Sequence, residues 1–186
     1  MPDYSHPSQD LDTVMKFVNT VHYEQGDIEE QLDSPAALSA FIAEHRLGKA
    51  AAKPADLRRA IDVREALRAV MLANNGGPLE TDAIDVLNRT AARAKVVAAF
   101  DDNNSWRVVP ATDGVDGALG RMLAGVFRAM SDGSWERIKA CGNPDCRWAF
   151  RDTSKNHTGR WCDMATCGNR MKARAFRERA RSKKAE

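Results

Sequence analysis

Cysteine is missing from the first 140 positions of this 186-residue chain, and all four occur between Cys141 and Cys167. That placement excludes a disulfide framework spread through the fold. No apolar run approaches the ~18 residues of a membrane span. The N-terminal stretch MPDYSHPSQDLDTV has neither a basic n-region nor an apolar h-region, so nothing marks the chain for export and a cytoplasmic protein is expected. Ser-His-Asp order, a P-loop, a dinucleotide fingerprint and HExxH are all absent, and an enzyme is not expected.

With 43% hydrophobic and 29% charged residues, the chain is long enough for one globular domain of about 130 to 140 residues followed by a small finger. The expected fold class is α+β, mainly helical. A helical N-terminal domain with a small β-hairpin, residues 1–134, precedes a four-cysteine unit, residues 135–186. Leu11, Val14, Met15, Phe17, Val18 and Val21 recur at helical spacing and predict a first helix from Asp10 to about Tyr23. Ser34-Pro35 and Pro54 each open a further helix, since proline is pre-set for the first helical position. Leu38, Phe41, Ile42 and Leu47 line the second, which Gly48 stops, and Leu57, Ile61, Leu67 and Met71 line the third. Asn74-Asn75-Gly76-Gly77-Pro78 is a breaker. A fourth helix follows from Thr81 to Ala94. Lys95 to Phe100 and Trp106 to Val109 predict the hairpin, and residues 116–130 a fifth helix. The break at Asp132-Gly133-Ser134 is too short for a flexible linker, so the finger is expected to dock on the domain.

The cysteines form two C-x4-C pairs, Cys141 with Cys146 and Cys162 with Cys167, separated by fifteen residues. Four thiolates closing on one Zn2+ would give this segment the core it cannot build from apolar side chains. Such a site has no open position and is structural. Two disulfides are the competing reading, and they require an oxidising compartment. Gly-Asn after Cys141 and again after Cys167 suits tight knuckles around an ion. Arg147 to Phe150 and Gly159 to Trp161 predict a second hairpin between the pairs, with Trp148, Phe150 and Trp161 over the metal. The tail GNRMKARAFRERARSKK predicts a helix with Arg170, Arg174, Arg177, Arg181 and Lys184 on one face. Met171, Ala175 and Phe176 are expected to pack back on the hairpin. Knuckle, hairpin and helix in that order describe a treble-clef-like finger.

Charge is divided unevenly. Residues 137–186 hold 14 Lys plus Arg against 5 Asp plus Glu, net +9, whereas residues 1–136 hold 14 against 21, net −7. A solvated face is the bland reading of such a stripe. The concentration of arginine beside a metal-built platform points instead to double-stranded DNA, with Arg170 and Arg174 on base edges and Arg160, Arg177, Arg181 and Lys184 on phosphates.

The same residues resemble the CGNR zinc-finger family, whose motif stands here as Cys167-Gly168-Asn169-Arg170. The likeness runs through C-x-N-P-D-C at Cys141 to Cys146, Trp148 and Phe150, Asp152-Thr153-Ser154, Arg160-Trp161-Cys162, Met164-Ala165-Thr166 and the Arg-rich tail. It implies four zinc-ligating cysteines and a DNA-binding finger in a bacterial regulator. Phe17-Val18-Asn19-Thr20 with His22, and Ser34-Pro35-Ala36-Ala37-Leu38 before Phe41, resemble the ABATE domain. That likeness implies a sensory or stress-linked regulatory domain.

Asn19 and His22, i and i+3 on the expected first helix, are candidates to face a small-molecule effector, against a structural hydrogen-bonded role. His157 is read as an exposed turn residue that touches phosphate, and Asp101-Asp102 as a solvated turn. A single recognition helix offers little contact area. Binding as a homodimer to paired half-sites follows, with the interface in the first domain. A protein-interaction or redox-sensing module is the alternative reading, and RNA binding through the finger's aromatics a third.

Overall fold

A computed structural model describes residues 7–24, 27–100 and 105–185, with the side chains of residues 7–10, 24, 184 and 185 outside that description. Its elements are α1 (Pro7–Val18), β1 (Val21–Glu24), β2 (Asp27–Glu30), α2 (Pro35–Glu44), α3 (Pro54–Ala73), α4 (Thr81–Arg93), β3 (Val96–Phe100), β4 (Trp106–Pro110), α5 (Gly114–Ser131), a 3-10 turn (Ser134–Arg137), β5 (Ile138–Ala140), β6 (Ala149–Arg151), a π-type turn (Met164–Gly168) and α6 (Asn169–Ala185). Among the described residues the strands pair as antiparallel two-stranded ribbons, β1 with β2, β3 with β4 and β5 with β6. Among the described residues no helix is long and apolar enough to cross a membrane.

Local chemistry explains the helix starts. The Ser34 hydroxyl accepts from the Ala37 N–H at 3.2 Å with Pro35 next in line. At α3 the Asp56 carboxylate accepts from the Lys53 N–H at 2.8 Å behind Pro54. Each arrangement satisfies an amide that the first helical turn leaves without a partner.

The first helix is shorter at its C-terminal end than its apolar spacing predicts. Asn19 leaves α1, the Thr20 hydroxyl bonds the Phe17 carbonyl at 2.8 Å, and Val21 to Glu24 pair with β2 in the register Val21↔Glu30. Val21 therefore continues the helical apolar stripe in sequence but is buried from a strand. The β3–β4 ribbon lies where the sequence places it, with Val96 opposite Pro110 and Phe100 opposite Trp106. Asp101 and Asp102, read from the sequence as a solvated turn, lie outside the described residues.

The core joins α1, α2, α3 and α5 through Phe17, Leu11, Leu38, Ile42, Leu67, Met71, Leu119 and Leu123, all fully buried. Burying a side chain of this kind contributes about 1.5 to 3 kcal/mol. The same cluster includes Trp135, Ile138, Ala140 and Ala149. The root of the four-cysteine unit is thus part of the main core, and the short connection after Asp132 transmits packing rather than slack.

Candidate metal centre and basic helix

Two asparagines at the end of α3, read from the sequence only as a breaker, hold the finger in place. The Asn74 amide donates to the carbonyls of Trp135 and Ile138, both at 2.9 Å. The Asn75 amide donates to those of Ala140 at 2.8 Å and Arg160 at 2.9 Å. Arg68, only 4% exposed, reaches the Val18 carbonyl at 2.7 Å and the Arg147 carbonyl at 3.2 Å. It ties the end of α1 to the loop after Cys146.

Asn19 and His22 belong to this junction. Their expected i, i+3 pairing does not exist, because Asn19 lies beyond α1 and His22 is on β1. The Asn19 carbonyl accepts from the Ala149 N–H at 2.7 Å and its amide donates to the Ala149 carbonyl at 2.9 Å. The side chain therefore continues the β6 hydrogen-bond pattern and leaves no simple role in a ligand pocket. His22 packs edge-on against Trp148 with ring centres 5.3 Å apart. A cavity of about 150 Å³ does open at the junction, lined by Glu65, Arg68, Leu72, Glu80, Ala140 and Arg147 among others.

The hairpin at the finger also differs from the sequence expectation. β6 pairs with β5, which precedes the first cysteine, in the register Ala140↔Ala149. Residues 159–161 form no strand; they are held through the Gly142 N–H, which donates to the Arg160 carbonyl at 2.9 Å. A three-residue strand ending at Ala140 is too short to carry a periodic signal. Between the strands, the Asn143 carbonyl receives the N–H groups of Cys146 and Arg147 at 3.0 and 3.1 Å, and its side-chain amide points at Cys167 Sγ at 3.5 Å. The Asp163 carboxylate accepts from the Thr166 N–H at 2.7 Å and fixes the turn that delivers Cys167. Trp161 lies between the two Gly-Asn knuckles: a Cβ added at Gly142 would come within 3.2 Å of its Cζ3, and one at Gly168 within 3.2 Å of its Cδ1.

The four sulfurs all lie within 4.8 Å of one another. Cys146 and Cys162 approach to 3.6 Å and Cys162 and Cys167 to 3.7 Å. Those separations are far beyond the ~2.05 Å of a disulfide and match the ~3.8 Å edge of a tetrahedron with ~2.3 Å zinc–sulfur arms. As bare thiols the group cannot ionise together. Contact with Cys146 draws the Cys141 thiol down, the same contact pushes Cys146 up, and burial followed by the Cys141 charge pushes Cys162 up. A divalent cation removes that conflict. The four cysteines of this zinc finger form a site that could hold one zinc ion; four thiolates would leave it no open position, which is structural rather than catalytic chemistry.

Beside it, Lys139 and Asp152 form a buried ion pair at 2.7 Å, 5% and 2% exposed. Burial pushes the Asp152 carboxyl up, but the Lys139 ammonium and the N–H groups of Ser154 and Gly159 outweigh it and hold the carboxyl well below its ordinary range. Lys139 also donates to the carbonyls of His157 and Gly159, so one buried pair shapes the loop from Asp152 to Gly159. A Cβ at Gly159 would stand 2.6 Å from an Asp152 oxygen. His157 is an exposed turn residue with φ of 55°, and its ring contacts the Arg137 guanidinium.

From the metal site α6 runs outward. Among its described side chains only Met171 is half-buried; Ala175 is exposed and Phe176 is 68% exposed, so the expected packing of all three on the hairpin is not what forms. Arg170, Arg174 and Arg177 converge with Asn143 and Asp145 on a groove of about 330 Å³, and Arg181 continues their row. Arg174 pairs with Glu178 at 3.0 Å. Arg160 lies apart from the helix, its guanidinium 5.7 Å from the Trp161 ring centre. Lys184 is on α6, but its side chain lies outside the described residues.

Two family models match the chain. Residues 11–132 match ABATE, whose description is "Putative stress-induced transcription regulator", and residues 137–180 match the CGNR zinc finger. No curated protein matches it.

Proposed function

The chain belongs to the ABATE family and carries a CGNR zinc finger, and from that premise we propose that it is a transcription regulator binding double-stranded DNA through α6. The observation that carries the proposal is a helix with exposed arginines rooted on a rigid metal platform. Arg170, Arg174, Arg177 and Arg181 share one face, and all four are exposed. A row of guanidinium groups on a fixed helix is suited to the phosphate backbone, where releasing counterions supplies most of the affinity. Arg160 sits on the same finger and extends the positive surface, and Lys184 extends the row in sequence.

The N-terminal unit is the sensing or dimerising part in this reading. Any change in it reaches the finger directly, because Asn19, Arg68, Asn74 and Asn75 bond to the finger's backbone. A small-molecule effector would act there, with the junction cavity beside Arg68 the better candidate than Asn19 and His22. A homodimer would place two helices on paired half-sites.

The test is a titration of the full, zinc-loaded chain against duplex DNA, single-stranded DNA and structured RNA at two salt concentrations, with a chelator control. Duplex binding that weakens with salt and vanishes on chelation supports the proposal. Indifference to every nucleic acid would turn it into a zinc-stabilised protein-interaction module.

A further inference from the structure

One face of α6 is uncharged. On a helix advancing about 100° per residue, Asn169, Ala173, Phe176 and Ala180 stand at i, i+4, i+7 and i+11, within an arc of about 60°. All four are exposed, and Phe176 at 68% is among the most exposed large apolar residues described. Basic residues border this ridge on both sides. Lys172, Arg179 and Lys183 lie about 50° to 90° to one side, and Arg177, Arg170 and Arg181 about 70° to 110° to the other. All six are exposed. Arg174 lies farther round and is engaged by Glu178.

A single basic stripe would suit contact with one strand of phosphates. Two rows with an uncharged ridge between them complement a groove: two charged walls and a floor of base edges. The major groove of B-DNA, about 12 Å wide, admits one α-helix. Asn169 to Ala180 spans about 16 Å of helix, close to five base-pair steps. Alanine and phenylalanine make apolar contact with one feature of that floor, the C5-methyl group of thymine. One phenylalanine and two alanines form too narrow an apolar face for insertion into a bilayer, where such helices carry wide faces of Trp, Phe and Leu.

We infer that the Ala173–Phe176–Ala180 ridge of α6 is the base-reading surface and reads thymine methyl groups in the major groove, with the two basic rows on the phosphates of opposite strands. The inference rests on the DNA-binding reading and moves base recognition from Arg170 and Arg174 to residues without charge. Arg170 and Arg174 become backbone contacts.

The experiment uses the full zinc-loaded chain and two short alternating duplexes, one of dA and dT, the other with every dT replaced by dU, which lacks only the methyl. Affinity for the thymine duplex exceeds that for the uracil duplex by about tenfold, as expected for a few methyl groups removed from water. Phe176→Ala, which leaves the metal site and core untouched, narrows the difference between the two duplexes and keeps the wild-type salt slope. Arg177→Ala weakens both equally and lowers the slope by about one. Equal wild-type affinity for the two duplexes, with binding still zinc-dependent, overturns this inference and leaves the DNA-binding reading standing. Binding to neither duplex, or binding only to anionic phospholipid vesicles, overturns both.

Discussion

The root of the finger and its terminal helix are built on opposite terms. At the root, Ile138, Ala140 and Ala149 are buried in the main core, four sulfurs converge, and Lys139 and Asp152 are sealed together. On α6 every described side chain beyond Met171 is exposed, and eight of its seventeen residues, from Arg170 to Lys184, are Lys or Arg. The root turns sequence into stability, whereas the helix contributes little to the fold and presents charge. Substitutions should therefore divide cleanly, those at the root changing folding and those on the helix changing binding.

The largest effect should come from the metal. Structural zinc contributes about 10 to 16 kcal/mol in finger peptides, as much as the whole stability of an ordinary domain, about 5 to 15 kcal/mol. Chelation or Cys167→Ser should abolish order from Cys141 onward, seen as loss of the near-ultraviolet signal of Trp148 and Trp161, and metal analysis of the wild type should return one zinc per chain. Because zinc binds thiolates, protons compete with it, and occupancy should decline as pH falls.

Asp152→Asn comes next. It leaves the buried Lys139 charge without its partner, which costs about 3 to 5 kcal/mol, measurable by denaturant unfolding of the zinc-loaded chain. The folded Asp152 carboxyl is depressed, so its stabilisation is complete above the unfolded carboxylate pKa of about 3.9 and fades as pH drops from there toward the lower folded value. The gap between variant and wild type should narrow over that acid range.

Asn19→Ala should cost about 1 to 3 kcal/mol, because it leaves the Ala149 N–H and carbonyl without their partner. The loss should appear first as faster amide exchange across β5 and β6. A loss confined to α1 would break the comparison, since it would place Asn19 outside the docking surface. Smallest of all, Arg177→Ala on the free helix should shift stability by no more than about 0.5 kcal/mol. The same substitution should lower duplex affinity at every sequence.

The sequence disclosed most where one residue type has one use. Cysteines at paired spacing gave the metal centre, and Ser34-Pro35 and Pro54 gave two helix starts. It misled where one residue type serves two ends. Val21 continues the helical stripe of Val14 and Val18 yet is buried from a strand, so the spacing predicts too long an α1 and sets Asn19 and His22 together on a helix. Asn74 and Asn75 are turn formers and also side-chain donors, and only the folded chain shows them clamping Trp135, Ile138, Ala140 and Arg160. β5 was invisible because three residues cannot establish a period. The helical spacing sets Phe176 off the basic face and predicts that it packs on the hairpin, although it is 68% exposed.

The division between root and helix is tested most directly by one variant, Arg170, Arg174, Arg177 and Arg181 all changed to Gln, compared with wild type in zinc content, unfolding midpoint and duplex affinity across salt. One zinc, an unchanged midpoint, a large loss of affinity and a salt slope lower by about three to four are the predicted result. A variant that binds duplex DNA like the wild type, or one that loses its zinc, would contradict it.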